Sequence, residues 1–217
     1  ATMLGFIATD AQIDKTVLEQ WCKRLANASF NRITIDGDTS TNDSCILIAT
    51  GQSALTITDA DSPVAEMLFN ELKIAFQLLA QAIVRDGEGA TKFVTVEVIE
   101  AREQQEALDV AYTVAHSPLV KTAMFASDAN WGRILAAVGR AGVANMELDK
   151  IQIWLDDVRI VEDGGRCDSY TEAAGAAIFK QSEFTVRIAL GRGDVTETIW
   201  TTDLSHEYVT INADYRS

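Results

Sequence analysis

Apolar and polar positions change their period several times along the 217 residues, and each change predicts an element. From Asp14 to about Ala28, the residues Val17, Leu18, Trp21, Cys22 and Leu25 recur at three- and four-residue steps, which is the spacing of one helix face. A strand-like "RITIDG" follows. The next stretch, "DGDTSTNDS" (Asp36 to Ser44), reads as a loop, because small polar side chains bond their own backbone in turns and leave nothing to bury. "CILIAT" then has the length and β-branching of a buried strand. Ser62 and Pro63 supply an N-cap and the one helical position that tolerates proline, and Gly87 stands where a left-handed C-cap would fall. Between them "VAEMLFNELKIAFQLLAQAIVRD" is apolar over much of its circumference and is expected to be the central helix.

"TKFVTVEVIEA" alternates Phe93, Thr95, Glu97 and Ile99 with Val94, Val96 and Val98, as a strand does. Helices are predicted from Glu103 to Ala115 and through "WGRILAAVGRAG". The last third reads strand, strand, helix, strand, strand: "KIQIWLDD", "VRIVED", "TEAAGAAIFKQ", "EFTVRIALG" and "TETIWTTD". That order breaks βαβ alternation, so the fold class is α/β, a layered mixed or largely antiparallel sheet with helices. With two prolines, no linker composition and no fixed-period repeat, residues 1–217 show no internal domain boundary.

Composition narrows the chemistry. An apolar fraction of 47% and a charged fraction of 23% are those of an ordinary globular protein. The 32 acidic residues outnumber 18 basic ones, for a net charge of −14. No basic run exists to meet phosphates, so nucleic acid and anionic membrane are not expected partners. Cys22, Cys45 and Cys167 are an odd, irregularly spaced set that suits neither a disulfide framework nor a metal cluster; a reducing compartment follows, and a bacterial cytoplasm fits best, although an organelle reached through a removed transit peptide would look identical. His116 and His206 are the only histidines and lie apart from cysteine pairs, so a zinc site is not expected. The pattern suggests no apolar run of the roughly 18 residues that a bilayer demands, and the first residues lack the basic start of a secretory signal. No G-x-S-x-G elbow occurs, and the glycines of "GRGD" and "EDGGR" have turn spacing rather than that of a phosphate loop.

The opening "ATMLGFIATDA" places a threonine at position 2. A threonine hydroxyl is a weak nucleophile until a base takes its proton, and at a free chain end the α-amine, with a pKa of about 7.7 to 8, is such a base.

Five segments carry a resemblance: "ATMLGFIATDA", "TIDGDTSTNDS" (Thr34 to Ser44), "DGEGATKF" (Asp86 to Phe93), "FASDANWGRILAAVGRAG" (Phe125 to Gly142) and the ending "INADYRS". In order and spacing, over the whole chain, they resemble the β chain of the ornithine acetyltransferase family, also called glutamate N-acetyltransferase. Members are made as one precursor that cuts itself between an alanine and the threonine of "ATML". The resemblance therefore makes Ala1 and Thr2 the cleavage site and Thr2 the nucleophile. Ala1 stands before that cut, so Thr2 carries an amide in the sequence as written; an uncut, shifted or engineered end would each account for it.

The implied reaction moves acetyl from N-acetylornithine to glutamate by a ping-pong route through acetyl-Thr2, with acetyl-CoA-dependent glutamate acetylation as a second activity of bifunctional members. By the same resemblance Thr2, Glu88, Asn212 and Ser217 bind substrate. On their own, Glu88 would read as a solvated helix-end carboxylate and the tail as frayed; the apolar Tyr208, Val209 and Ile211 predict instead that the tail docks. Asp128 is expected to cap the helix that follows it, and Trp131 to be core. The oxyanion-hole donors and a substrate lysine of the family lie on an α chain, which completes an aminopeptidase/ornithine-acetyltransferase-like fold and an α2β2 assembly. Two alternatives stand beside this reading: a self-processed aminopeptidase or amidase of the related fold, with water as acceptor, and a non-catalytic subunit.

Overall fold

The computed structural model describes residues 2–215, so the expectations placed on Ala1 and Ser217 lie outside it. Two compact units are present: Ala1–Ile33 with Asp38–Ile83, and Thr34–Gly37 with Val84–Ser217.

In the first unit the chain runs through β1 (Leu4–Thr9), β2 (Gln12–Ile13), α1 (Lys15–Asn27), β3 (Ser44–Ala49), β4 (Thr56–Ile57) and most of α2 (Pro63–Arg85). Strands β1 and β3 pair in parallel from Leu4↔Ser44 to Thr9↔Ala49, and β2 pairs with β4 in the same sense. Helix α1 starts where Asp14 accepts from Thr16 N, and it buries Val17, Trp21 and Leu25, the face that the periodicity predicts. These meet Ile7, Phe30, Leu47, Leu72 and Phe76 in one core. Phe30 sets edge-on to Phe76, with ring centres 5.8 Å apart, and a Cβ on Gly5 would lie 2.8 Å from the Phe30 ring.

Three expectations need correction in this part of the chain. "RITIDG" is not a strand: Phe30–Arg32 is a 3-10 turn, and the segment after it makes a single backbone bridge, Thr34 N donating to Trp200 O at 3.0 Å, with side-chain bonds from Thr34 Oγ1 to His116 Nε2 and between Asp36 and Tyr208 instead of a continuing ladder. Gly87 is not the left-handed residue; Gly89 is, with φ +67°. The membrane estimate also fails, because α2 is 23 residues long with an 18-residue window of mean hydropathy 1.3, long and apolar enough to cross a bilayer by length and composition. Its apolar residues split between a buried line, Ala65, Leu72, Phe76 and Ala80, and an exposed set, Val64, Met67, Ile74 and Leu78.

The second unit follows in the order β5 (Phe93–Ala101), α3 (Gln104–Ala115), α4 (Pro118–Phe125), α5 (Trp131–Gly139), β6 (Gln152–Leu155), β7 (Val158–Glu162), β8 (Gly165–Arg166), α6 (Glu172–Phe179), β9 (Glu183–Ala189), β10 (Val195–Thr202) and α7 (His206–Asp214). Its six-stranded sheet has the order β10-β5-β9-β6-β7-β8. Only β5 and β9 pair in parallel; the other neighbours are antiparallel. A mixed, mainly antiparallel sheet with helices is therefore the architecture. Val94, Val96 and Val98 are fully buried and join Ala107, Val110, Ala111 and Val114 of α3 in the core. The strand-period and helix-period faces thus interlock over the sheet.

Helix α5 is capped by Asn130, whose side chain accepts from Arg133 N, and not by Asp128, which accepts from Asn130 Nδ2. A cap must sit directly before the first helical turn, and Asp128 is two residues too early. Trp131 packs partly buried against the main core, as expected.

Phe76 is fully buried at the centre of the first unit's core. Phe76→Ala should cost about 3–5 kcal/mol, measured as a lowered denaturation midpoint in urea or heat.

Candidate active site

Parallel pairing of β1 with β3 brings the residues before each strand to the same end of the pair. Met3 N donates to Asp43 Oδ1 at 2.8 Å, Ser40 N donates to Asp43 Oδ2 at 3.1 Å, and Ser44 N donates to Met3 O at 2.9 Å. These backbone donors hold the Asp43 carboxyl below the usual carboxylate range. Thr2 is exposed on this platform, its Oγ1 3.2 Å from Ser40 Oγ. Its neighbour is pinned while its own hydroxyl, bonded to Ser40, stays exposed, and that is an arrangement a nucleophile can use.

In the second unit Glu88 sits at the tip of a turn that follows α2. Asn212 Nδ2, on α7, donates to Glu88 Oε2 at 2.8 Å and to Tyr208 O at 2.9 Å. Gly89 takes φ +67°, and a Cβ there would lie 2.5 Å from Tyr208 N and 2.8 Å from Ser205 Oγ, so only glycine lets the turn meet the start of α7. Ser205 caps that helix, accepting from Tyr208 N at 3.2 Å while donating to Gly89 O at 2.6 Å.

The C-terminal segment docks, though not by the apolar spacing that suggested it. Val209 is 61% and Ile211 36% exposed, and α7 buries no residue. Hydrogen bonds from Ser205, Tyr208 and Asn212 do the holding, with Tyr208 Oη donating to Asp36 Oδ2 at 2.9 Å.

Behind the turn lies a buried polar layer. The Asp203 carboxylate accepts from Thr91 N at 2.9 Å, Thr91 Oγ1 at 2.5 Å and Lys92 N at 3.0 Å. Lys121, on α4 and 3% exposed, donates from Nζ to Thr202 O at 2.5 Å, Thr201 Oγ1 at 3.1 Å and Thr202 Oγ1 at 3.4 Å. Burial pulls its pKa down to about 8, against the pull of Asp203 and Asp36. His116, bonded to Thr34, is likewise lowered by burial and then by the Lys121 charge.

The model of the ArgJ family matches residues 1–217. The chain belongs to the ArgJ family. Among curated relatives, the arginine biosynthesis bifunctional protein ArgJ of Pseudomonas fluorescens (strain Pf0-1) is 63% identical and that of Pseudomonas syringae pv. tomato 61%, each over all of this chain. The ArgJ of Psychrobacter arcticus is 55% identical over the same extent. This chain spans about half, 54%, of the length of these relatives. The crystal structure of the arginine biosynthesis bifunctional protein of Bacillus halodurans aligns with a TM-score of 0.92 at 38% identity, covering 98% of this chain and 100% of that one.

Of the residues singled out through the ArgJ resemblance, Glu88 and Asn212 share a hydrogen bond, and Thr2 meets Ser40 in the other unit. Sequence reasoning missed Ser40, Asp43, Lys121 and Asp203. It took the loop's polarity as self-bonding and left α4 unassigned, although Ser117 and Pro118 repeat the cap-and-proline signal of Ser62 and Pro63.

Gly89→Ala should destabilise the protein by about 1–3 kcal/mol and lower its melting temperature, whereas Gly139→Ala, with open space around it, should not. Lys121 gives a pH signature with a defined sign. Between about 8 and the ordinary lysine value of 10.5 the unfolded chain holds the proton that the folded one has released, so this group's destabilising effect, full below about 8, fades as pH rises. Lys121→Met should remove that rise in stability, as seen in denaturation midpoints taken from pH 7.5 to about 10.5.

Proposed function

We propose that this chain supplies the nucleophile and part of the substrate pocket of a glutamate N-acetyltransferase acting in arginine biosynthesis. The observation that carries the reading is the end-to-end match of residues 1–217 to the ArgJ family, with "ATML" at its head. Thr2 Oγ1 attacks the acetyl carbonyl of N-acetylornithine. The C–N bond breaks, the hydroxyl proton passes to the departing amine, and acetyl-Thr2 remains. The amine of glutamate then attacks that ester, taking the acetyl group and returning a proton to Thr2. Acetyl-CoA in place of N-acetylornithine would load Thr2 by the same attack.

The free amine of Thr2 is the base in this scheme, and it arises when Thr2 Oγ1 attacks the Ala1 carbonyl and the resulting ester is hydrolysed. Glu88, Asn212 and Ser217 are assigned to substrate. The Glu88 carboxylate and the Asn212 amide oxygen offer acceptors for an ammonium group, while both N–H donors of Asn212 are taken by Glu88 and Tyr208. The reaction calls for no cofactor.

An α chain is the proposed partner, in an α2β2 assembly, located in the cytoplasm. Two observations support a partner surface. The chain has about half the length of its relatives, and the first unit exposes Leu4 and Phe6 of β1, Ile46 and Ile48 of β3, and Met67, Ile74 and Leu78 of α2. Large apolar side chains left open in groups mark surfaces that another chain covers. The oxyanion donors, together worth about 3 kcal/mol or more of transition-state stabilisation, and the substrate lysine are assigned to that chain.

Peptide mass spectrometry of the full-length protein, before and after brief exposure to N-acetylornithine, tests the reading. A fragment beginning at Thr2 that gains one acetyl group on its hydroxyl is the expected result. Thr2→Ala should abolish both cleavage and acetylation, and removing Asn212 to Ser217 should raise KM for N-acetylornithine. A fragment that keeps Ala1 and stays unmodified overturns the mechanism; hydrolysis of N-acetylornithine without transfer to glutamate points to an amidase.

A further inference from the structure

We propose that Lys121 is a positioning residue for the turn that presents Glu88, acting through residues 201–205. The inference rests on the reading that Glu88 binds substrate, and extends it to a group outside the five segments that carry the family resemblance.

A buried ammonium is expensive, and its retention in a core position requires polar partners that use it. The three acceptors of Lys121 Nζ are uncharged oxygens, all on Thr201 and Thr202 at the end of β10. The next residues in the chain grip the Glu88 turn. Asp203 binds Thr91 and Lys92 just after it, and Ser205 Oγ donates to Gly89 O within it. On the other flank, Thr202 Cγ2 would lie 3.4 Å from a Cβ on Gly87. The segment 201–205 is thus held on one side by the lysine and holds the turn on the other. Leu204 N also donates to Lys121 O at 3.2 Å, a backbone bond that any substitution at Lys121 leaves in place.

Removing the amine therefore leaves the helix and the chain path in place. It deprives two threonine side chains and a carbonyl of their common donor, and the loss falls on the orientation of the turn. Because Glu88 is assigned to binding and Thr2 to the chemical step, the effect belongs in KM.

The test is steady-state kinetics of acetyl transfer from N-acetylornithine to glutamate, measured on the full-length protein. Lys121→Met should raise KM for N-acetylornithine about tenfold, the usual effect of losing a charge-assisted hydrogen bond, with kcat within about twofold. Lys121→Arg, which keeps charge and donors, should recover part of that KM. In a Glu88→Gln background Lys121→Met should change KM by less than about twofold, since its route to the substrate is already cut. An unchanged KM in Lys121→Met, or equal effects in both backgrounds, overturns the proposal. Should Lys121→Met fail to fold, Thr201→Val removes one acceptor of the same amine at constant volume and is read in the same cycle, with about a threefold rise in KM expected and no rise overturning the proposal. Absence of transfer by the unaltered protein would instead be a failure of the acetyltransferase reading.

Discussion

The Asp203 carboxylate, with its three hydrogen bonds to Thr91 and Lys92, ties the end of β10 to the chain between the Glu88 turn and β5. Charged acceptors make hydrogen bonds roughly twice as strong as neutral ones, and this one is buried, at 4% exposure. Much of the second unit's functional geometry depends on it. The sheet delivers β10 antiparallel to β5, so the end of the first strand and the start of the second lie together by necessity. Asp203 turns that proximity into a fixed turn, Ser205 starts the last helix from the same place, and Asn212 then reaches Glu88.

Thr2 is served by a different device. A parallel strand pair aligns the beginnings of its two strands, which places Thr2 and residues 40–44 side by side. The loop's polar residues satisfy each other, as small polar side chains do in turns, but Asp43 has a second task in pinning Met3. The setting of Thr2 uses the leftover bonding capacity of a turn. Both devices depend on strand termini, where backbone donors are not yet committed to a ladder and can hold a carboxylate instead.

Local signals in the chain were most legible where one period persisted. Helix α1, the long helix α2 and the valine face of β5 follow directly from apolar spacing, since burial on one face is what selects that spacing. Legibility failed at short elements. "RITIDG" has a strand's composition but pairs at one bridge only, Thr34 N to Trp200 O, and α4 is too short for periodicity to separate it from its surroundings. The division into two units falls inside α2, between Ile83 and Val84, and on either side of Thr34–Gly37, so the chain passes between units more than once and no single linker marks it.

By itself the sequence determined the class of fold and, through five motifs in order, membership of the ArgJ family. Those properties are local or cumulative along the chain, and covalent order preserves them. Only the tertiary structure decided that Asn212 meets Glu88, that Ser40 meets Thr2 and that a buried lysine stands behind the Glu88 turn. Each of these contacts joins residues 38 or more positions apart. Strand pairing sets them, and pairing partners are chosen by the burial of whole faces, which no single segment encodes.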